Sequence, residues 1–184
     1  MTAADASVRT ATVNDAPAVG QTQALVWQEA YDGIVPPRVH AAFDPQAFAT
    51  AWRDALRTPP EGVHRLLVAR AGEQVVGFVA IGPSQDPDAG QTTGEITALG
   101  VHPMHRRQGH GSRLVNAAVD VLREAGAQHV ATWCLVEHEG LRSFLTASGL
   151  TPDGAFRDRV VSPDDDTARE VRLIAALVEE PGDD

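Results

Sequence analysis

The chain has 184 residues, a formal net charge of −10, one cysteine and 43% apolar residues. That is enough for one domain with a proper core, and the acidity excludes the basic stripe of a nucleic-acid binder and disfavours an anionic membrane surface. Cys134 stands alone, so neither an intrachain disulfide nor a cysteine metal cluster is available, and no metal is expected.

Residues 1–7 show no basic start followed by an apolar run, and no stretch approaches membrane-spanning length. The expectation is a soluble, cytoplasmic protein without signal peptide, membrane or nucleic-acid partner. A flexible segment 1–7, one domain over 8–178 and an acidic tail over 179–184 complete the division.

Residues 8–12 alternate weakly and read as a first strand. Asn14 and Asp15 are cap types with Pro17 behind them, so a helix should run toward Tyr31 and stop at Gly33. Asp44-Pro45 starts another helix, carrying Phe48, Trp52 and Leu56 to Arg57. Residues 66–69 and 75–81 form a hairpin about Gly72-Glu73. A Pro-, Asp- and Gly-rich surface loop covers 82–94, and residues 96–101 give a further strand.

The next segment is the most informative. Arg106-Arg107-Gln108-Gly109-His110-Gly111-Ser112 follows that strand and opens a run in which Leu114, Ala118, Val121, Leu122 and Ala125 recur at helical spacing. Glycines in a first helical turn admit a ligand close to the backbone. The unpaired N–H groups and the positive end of the helix dipole suit a pyrophosphate. Arg106, Arg107 and Arg113 add cations. A dinucleotide loop would place a third glycine at 114, which is Leu; a P-loop would follow Gly111 with Lys, and Ser112 stands there.

Residues 129–135 form a strand parallel to 96–101, since a helix separates them. A short helix from about Glu139 stops at Gly149, and strands near 155–161 and 170–174 close the chain. The class is mixed α/β with a partly antiparallel sheet.

Arg-x-x-Gly-x-Gly at 106–111, in this order of elements, resembles the acetyl-coenzyme A loop of the GCN5-related N-acetyltransferase (GNAT) family. Trp27, Tyr31, Gly33, Ile34 and Pro36 are similar to the family's first helical region, Trp133 and Leu135 to its fifth strand, and Arg142, Phe144, Gly149 and Leu150 to its last helix. The resemblance spans about residues 8–175. It implies a GNAT-like fold with splayed central strands flanked by helices, and acetyl-CoA as cofactor. It further implies transfer of an acetyl group to a primary amine of a small molecule or peptide by direct attack in a ternary complex. A homodimer is the family-based expectation.

Carried over by position, the main chain of Leu99, Gly100 and Val101 would hold the pantetheine arm. Arg106, Arg107, Gln108, Gly109, His110, Gly111 and Ser112 would hold the pyrophosphate, His138 would contact the cofactor, and Trp27 and Tyr31 would wall the acceptor pocket. Two positions depart from the family: His138 replaces its Asn, and Leu145 replaces the Tyr that often protonates the leaving thiolate. Tyr31 is the sole tyrosine.

Glu95 is the candidate general base, expected on one strand face with Thr97 and Leu99, its pKa raised by partial burial. A solvated strand-end glutamate is the plain alternative. The missing Tyr also leaves open a non-catalytic acyl-CoA-binding domain.

Overall fold

The computed structural model describes residues 6–178. Its centre is a seven-stranded sheet of order β1-β2-β3-β4-β5-β7-β6, with β1 at Ala6–Thr10, β2 at Arg65–Ala71, β3 at Gln74–Pro83, β4 at Thr93–Val101, β5 at His129–Leu135, β6 at Thr151–Val160 and β7 at Thr167–Ala176. Only β4 and β5 run parallel; the helix between them makes the crossover that a parallel pair requires. The helices are α1 at Ala16–Ala30, α2 at Pro37–His40, α3 at Pro45–Arg57, α4 at His110–Glu124 and α5 at Glu139–Ala147.

The first strand begins and ends nearer the N-terminus than the sequence pattern implies. Ala6 and Ser7, expected in a flexible segment, pair with Ala71 and Arg70. At the other end, Thr12 leaves the sheet because Asp15 takes both its N–H (2.7 Å) and its hydroxyl (3.0 Å), turning the chain into α1. Residues 1–5 and the acidic tail 179–184 lie outside the described residues. The Asp44 carboxylate caps α3 by accepting the Ala47 N–H at 2.7 Å, as its Asp-Pro start implies. Helix α2 has no signature in the sequence pattern: four residues opening at a proline are too few to show an apolar period.

Helices α4 and α5 cover one face of the sheet. Leu114, Ala118 and Leu122, spaced four apart, join Leu145 of α5 against Leu67, Val79, Ile81, Ile96 and Val130. Helices α1 and α3 cover the other face, with Val19, Trp52 and Leu56 on Leu66, Val68, Phe78, Ala80 and Ala98. Each fully buried leucine among these stabilises the fold by roughly 1.5–3 kcal/mol.

Strand β4 is irregular in two respects. Ala98 pairs with Ala80 of β3 and Ile96 with Ile81, so Thr97 is an extra residue, a bulge. And β4 pairs with β5 only over 93–96 against 129–132, where the Thr132 hydroxyl donates to the Ile96 carbonyl at 2.9 Å. Beyond that point the two strands part, which is the splay the family resemblance implies.

Candidate active site

The parted strands open a cleft of about 720 Å³. Its walls are Trp27 of α1 and Tyr31 just past its end, residues 97–101 of β4, residues 133–135 of β5, Leu141 and Phe144 of α5, and most of the loop before α4. Of the residues assigned to cofactor or acceptor, Leu99, Gly100, Val101, Arg106, Arg107, Gly109, His110, Gly111, Ser112, His138, Trp27 and Tyr31 all line it; Gln108 and the candidate base Glu95 do not.

At one end the loop forms an anion cradle. Arg107 (φ 62°) and Gly109 (φ 81°) adopt left-handed conformations, a pattern that turns successive N–H groups inward. Any side chain at 109 would carry the left-handed penalty of roughly 1–2 kcal/mol. Among the described residues, the N–H groups of Arg107, Gln108, Gly109, His110, Gly111 and Ser112 find no acceptor. The fifteen-residue α4 points its positive end at the same place. Gly111 packs against Phe144: a Cβ there would lie 3.2 Å from the ring. His110 is 3% exposed, its Nδ1 has no partner, and burial holds its pKa down, with Arg113 and His105 acting the same way.

Arg106, expected as a phosphate cation, lines the cleft but already has partners within the protein. Its Nη1 and Nη2 donate to Glu29 of α1 at 2.8 and 2.7 Å, and its Nε donates to the Val101 carbonyl at 3.3 Å. Arg113 likewise turns back on the Gln108 carbonyl at 3.1 Å. Arg107 is the loop arginine on the cleft wall that makes no ion pair among the described residues.

The edge of β4 faces the gap with alternate residues. The His102 N–H donates to the Val76 carbonyl at 2.8 Å, which gives Gly100 and Ala98 the same parity toward β3. Leu99 and Val101 therefore turn their main chain toward the opening.

The bulge alters the place of Glu95. Ile96 and Leu99 both pack on the α4 side and Ala98 on the α1 side, so alternation fails across Thr97. Glu95, opposite Gly82 and Ala131, lies on the α1 side, away from Leu99, and does not share a face with it as expected. The Ser84 hydroxyl donates to Glu95 at 3.3 Å. Burial raises the Glu95 pKa, and Asp86 nearby adds to this.

The far end of the cleft holds residues that the sequence pattern does not single out. Glu170 of β7 is 4% exposed and accepts from Arg157 of β6 at 2.7 Å, while Arg159 comes within 3.5 Å. Arg157 lies over Trp133 (4.2 Å) and Arg159 over Trp27 (5.8 Å). Charges at alternate positions 157, 159 and 170, 172 were the available signal: on a paired strand they fall on one face. Tyr31 is 6% exposed and burial pushes its hydroxyl pKa up. Trp27 is both core and wall, its ring 5.2 Å from Phe48 and 5.7 Å from Phe43.

Leu145, matched to the family's Tyr, does not reach the cleft. It is 1% exposed within the α4 core, and its neighbour Phe144 lines the wall instead. His138 sits at the head of α5; burial lowers its pKa, with Glu29 opposing and Arg106 reinforcing. Cys134 is buried, its thiol pushed up to about 12 by desolvation, which favours the protonated thiol near neutral pH.

The model of the acetyltransferase (GNAT) family matches residues 27–149, two thirds of the chain and nearly all of the cleft wall. The chain belongs to the GNAT family. It is 35% identical over 107 residues to a mycothiol acetyltransferase of Streptomyces bingchenggensis, covering 58% of this chain and 32% of that protein. It is 31% identical over 87 residues to N-acetyltransferase 8F1 of Rattus norvegicus, covering 47% and 39%. The matches thus span well under half the length of these curated relatives. Among solved structures, yncA of Salmonella typhimurium with acetyl-CoA superposes with a TM-score of 0.67 at 18% identity, covering 97% of this GNAT chain and 98% of that one. The PaiA N-acetyltransferase of Thermoplasma acidophilum with coenzyme A gives 0.67 at 15%, covering 90% and 98%. At these identities the likeness is one of fold.

Proposed function

We propose that this GNAT protein is an acetyl-CoA-dependent N-acetyltransferase acting on a primary amine of a small molecule or peptide. The observation that carries this reading is the continuity of the gap between β4 and β5 with the unsatisfied N–H groups of 107–112. The donor set fits the cofactor: six backbone N–H groups and the Arg107 guanidinium suit a pyrophosphate, and a glycine at 111 leaves room beside Phe144.

Acetyl-CoA, when bound, supplies an acyl group activated as a thioester. The chain's own groups do the rest. The main chain of Leu99 and Val101 would hold the pantetheine amides, and an N–H from this stretch would be the donor available to the acyl carbonyl. An amine at neutral pH is mostly protonated and must lose a proton to attack. Glu95 is the base in this reading: desolvation raises its affinity for that proton. Because Glu95 stands off the cleft wall, the proton reaches it through water. No acid is assigned for the thiolate, whose pKa near 8.5 lets it leave unassisted. The attacking amine reaches the acyl group directly in a ternary complex.

The test is thiol release from acetyl-CoA across a panel of amines, with coenzyme A binding measured separately by calorimetry. Amine-dependent release is the expected result. Tight coenzyme A binding with release no faster than hydrolysis for every amine would replace this reading with a non-catalytic acyl-CoA-binding domain.

A further inference from the structure

The chain as a whole carries a net charge of −10, yet the cleft wall holds Arg106, Arg107 and Arg159 against Glu29 and Glu170. These cations differ in how far their donors are engaged. Arg106 is tied to Glu29 and the Val101 carbonyl, and Arg107 belongs to the anion cradle at the α4 end. Arg157, behind the wall, donates to Glu170 at 2.7 Å. Arg159 is different. Its nearest carboxylate oxygen is Glu170 Oε1 at 3.5 Å, and Glu170 is already engaged by Arg157. Among the described residues Arg159 makes no hydrogen bond, although a guanidinium carries five N–H donors in a planar fork. Its side chain is 44% exposed, stands over Trp27 and reaches the cleft on the α1 side of the sheet, the side opposite α4 and α5.

We infer that the acceptor amine carries a carboxylate next to it, and that Arg159 is the residue that holds that carboxylate. This rests on the acetyl-transfer reading above. A guanidinium fork matches a carboxylate with two parallel hydrogen bonds, and the Trp27 ring, 5.8 Å away, offers the cation an aromatic neighbour. Glu170, 3.5 Å from Arg159, sets an anion beside the cation, so that a carboxylate with a neighbouring ammonium meets both charges in matching order. Tyr31, Leu135 and Trp133 line the remaining wall and give an apolar seat for a side chain. The chemistry described is that of a free α-amino acid.

The experiment measures kcat/KM with acetyl-CoA for each of the common amino acids beside its own carboxamide. The carboxamide's amine is the less basic of the two and more of it is neutral at pH 7, so intrinsic reactivity runs against the expected order. For the side chains accepted, the acid should be preferred at least tenfold, about 1.4 kcal/mol, with the difference in KM. In Arg159→Gln the ratio should fall to within two- to threefold, and in Arg159→Glu it should invert. Calorimetry on the coenzyme A complex should show the amino acid binding more tightly than its amide. Coenzyme A affinity, measured in each variant, reports that the fold is intact. Acetylation of carboxamides, peptides or simple amines as fast as of amino acids overturns the inference and leaves acetyl transfer standing. Absence of acetylation of any amine by a protein that binds coenzyme A takes down both.

Discussion

Arg106 and Glu29 meet through two parallel hydrogen bonds of 2.8 and 2.7 Å, tying the loop ahead of α4 to the last turn of α1. Both residues line the cleft, and Arg106 also donates to the Val101 carbonyl. An arginine recognisable from its motif as a phosphate ligand thus also ties the loop to α1. Its contribution to stability is small, roughly 0–1 kcal/mol, because both side chains are more than a third exposed. Arg106→Gln should lower coenzyme A affinity several-fold by loosening the loop and leave the thermal midpoint nearly unchanged. Loss of affinity beyond a hundredfold would mean that Arg106 binds phosphate directly.

Gly111→Val should weaken coenzyme A binding at least tenfold, about 1.4 kcal/mol. The cause is steric: a Cβ at 111 already presses Phe144 at 3.2 Å, and a branched side chain would drive the ring into the cleft. Calorimetry on the folded variant checks it, and unchanged affinity would remove the loop from the cofactor site.

Glu95→Gln should reduce turnover by about 10²-fold at pH 7, with coenzyme A affinity little altered. The wild-type rate should rise with pH through a carboxyl value above the ordinary 4.5, since burial raises the Glu95 pKa and only the ionised form accepts a proton. The deficit of the variant should shrink at high pH, where more amine is already neutral. A normal rate at pH 7 would reduce Glu95 to a strand-end charge.

Leu145→Tyr should destabilise the protein by roughly 1–3 kcal/mol, because the position lies in the packed core and a larger ring must displace its neighbours. Phe144→Tyr, one residue before it, places a hydroxyl on the cleft wall and should keep the rate within a few-fold or raise it. Denaturation midpoints and turnover, measured separately, distinguish the two positions. Equal stability of both variants would contradict the inward packing of Leu145.

Asp15, bound to Arg9 by two hydrogen bonds of 2.8 Å and accepting from Thr12 ahead of α1, has its carboxyl lowered from 3.8 to about 2, chiefly by Arg9. A depressed carboxyl stabilises the fold fully above its unfolded value and ceases to as pH falls through its folded one. About 2 kcal/mol should therefore disappear between about pH 5 and 2. Asp15→Asn should remove that dependence in urea unfolding series.

The fold was legible where punctuation and period agree. Asp44-Pro45 marks the start of α3, the apolar spacing from Leu114 marks α4, and the intervening helix dictates the parallel β4–β5 pair. The glycines at 109 and 111 locate the cradle. The features that escape a reading of the sequence depend on contacts between distant segments. Nothing local in Arg106 reveals that Glu29, 77 residues away, engages it. The Thr97 bulge answers to the β3 partner, so period-two reasoning puts Glu95 on the wrong side. Arg159 and Glu170 gain meaning only when β6 and β7 are laid beside the gap.

The extra residue at Thr97 makes β4 intolerant of changes in length. Deleting one residue there would restore uniform alternation and rotate one half of the strand by half a turn relative to the other. Either Glu95 would point into the leucines under α4, or Leu99 and Val101 would exchange their outlook on the gap for pairing with β3. Homologous chains should therefore vary in residue type along this strand far more freely than in residue number. A grafted β4 of ordinary, unbulged register should yield a protein whose sheet closes where this one opens.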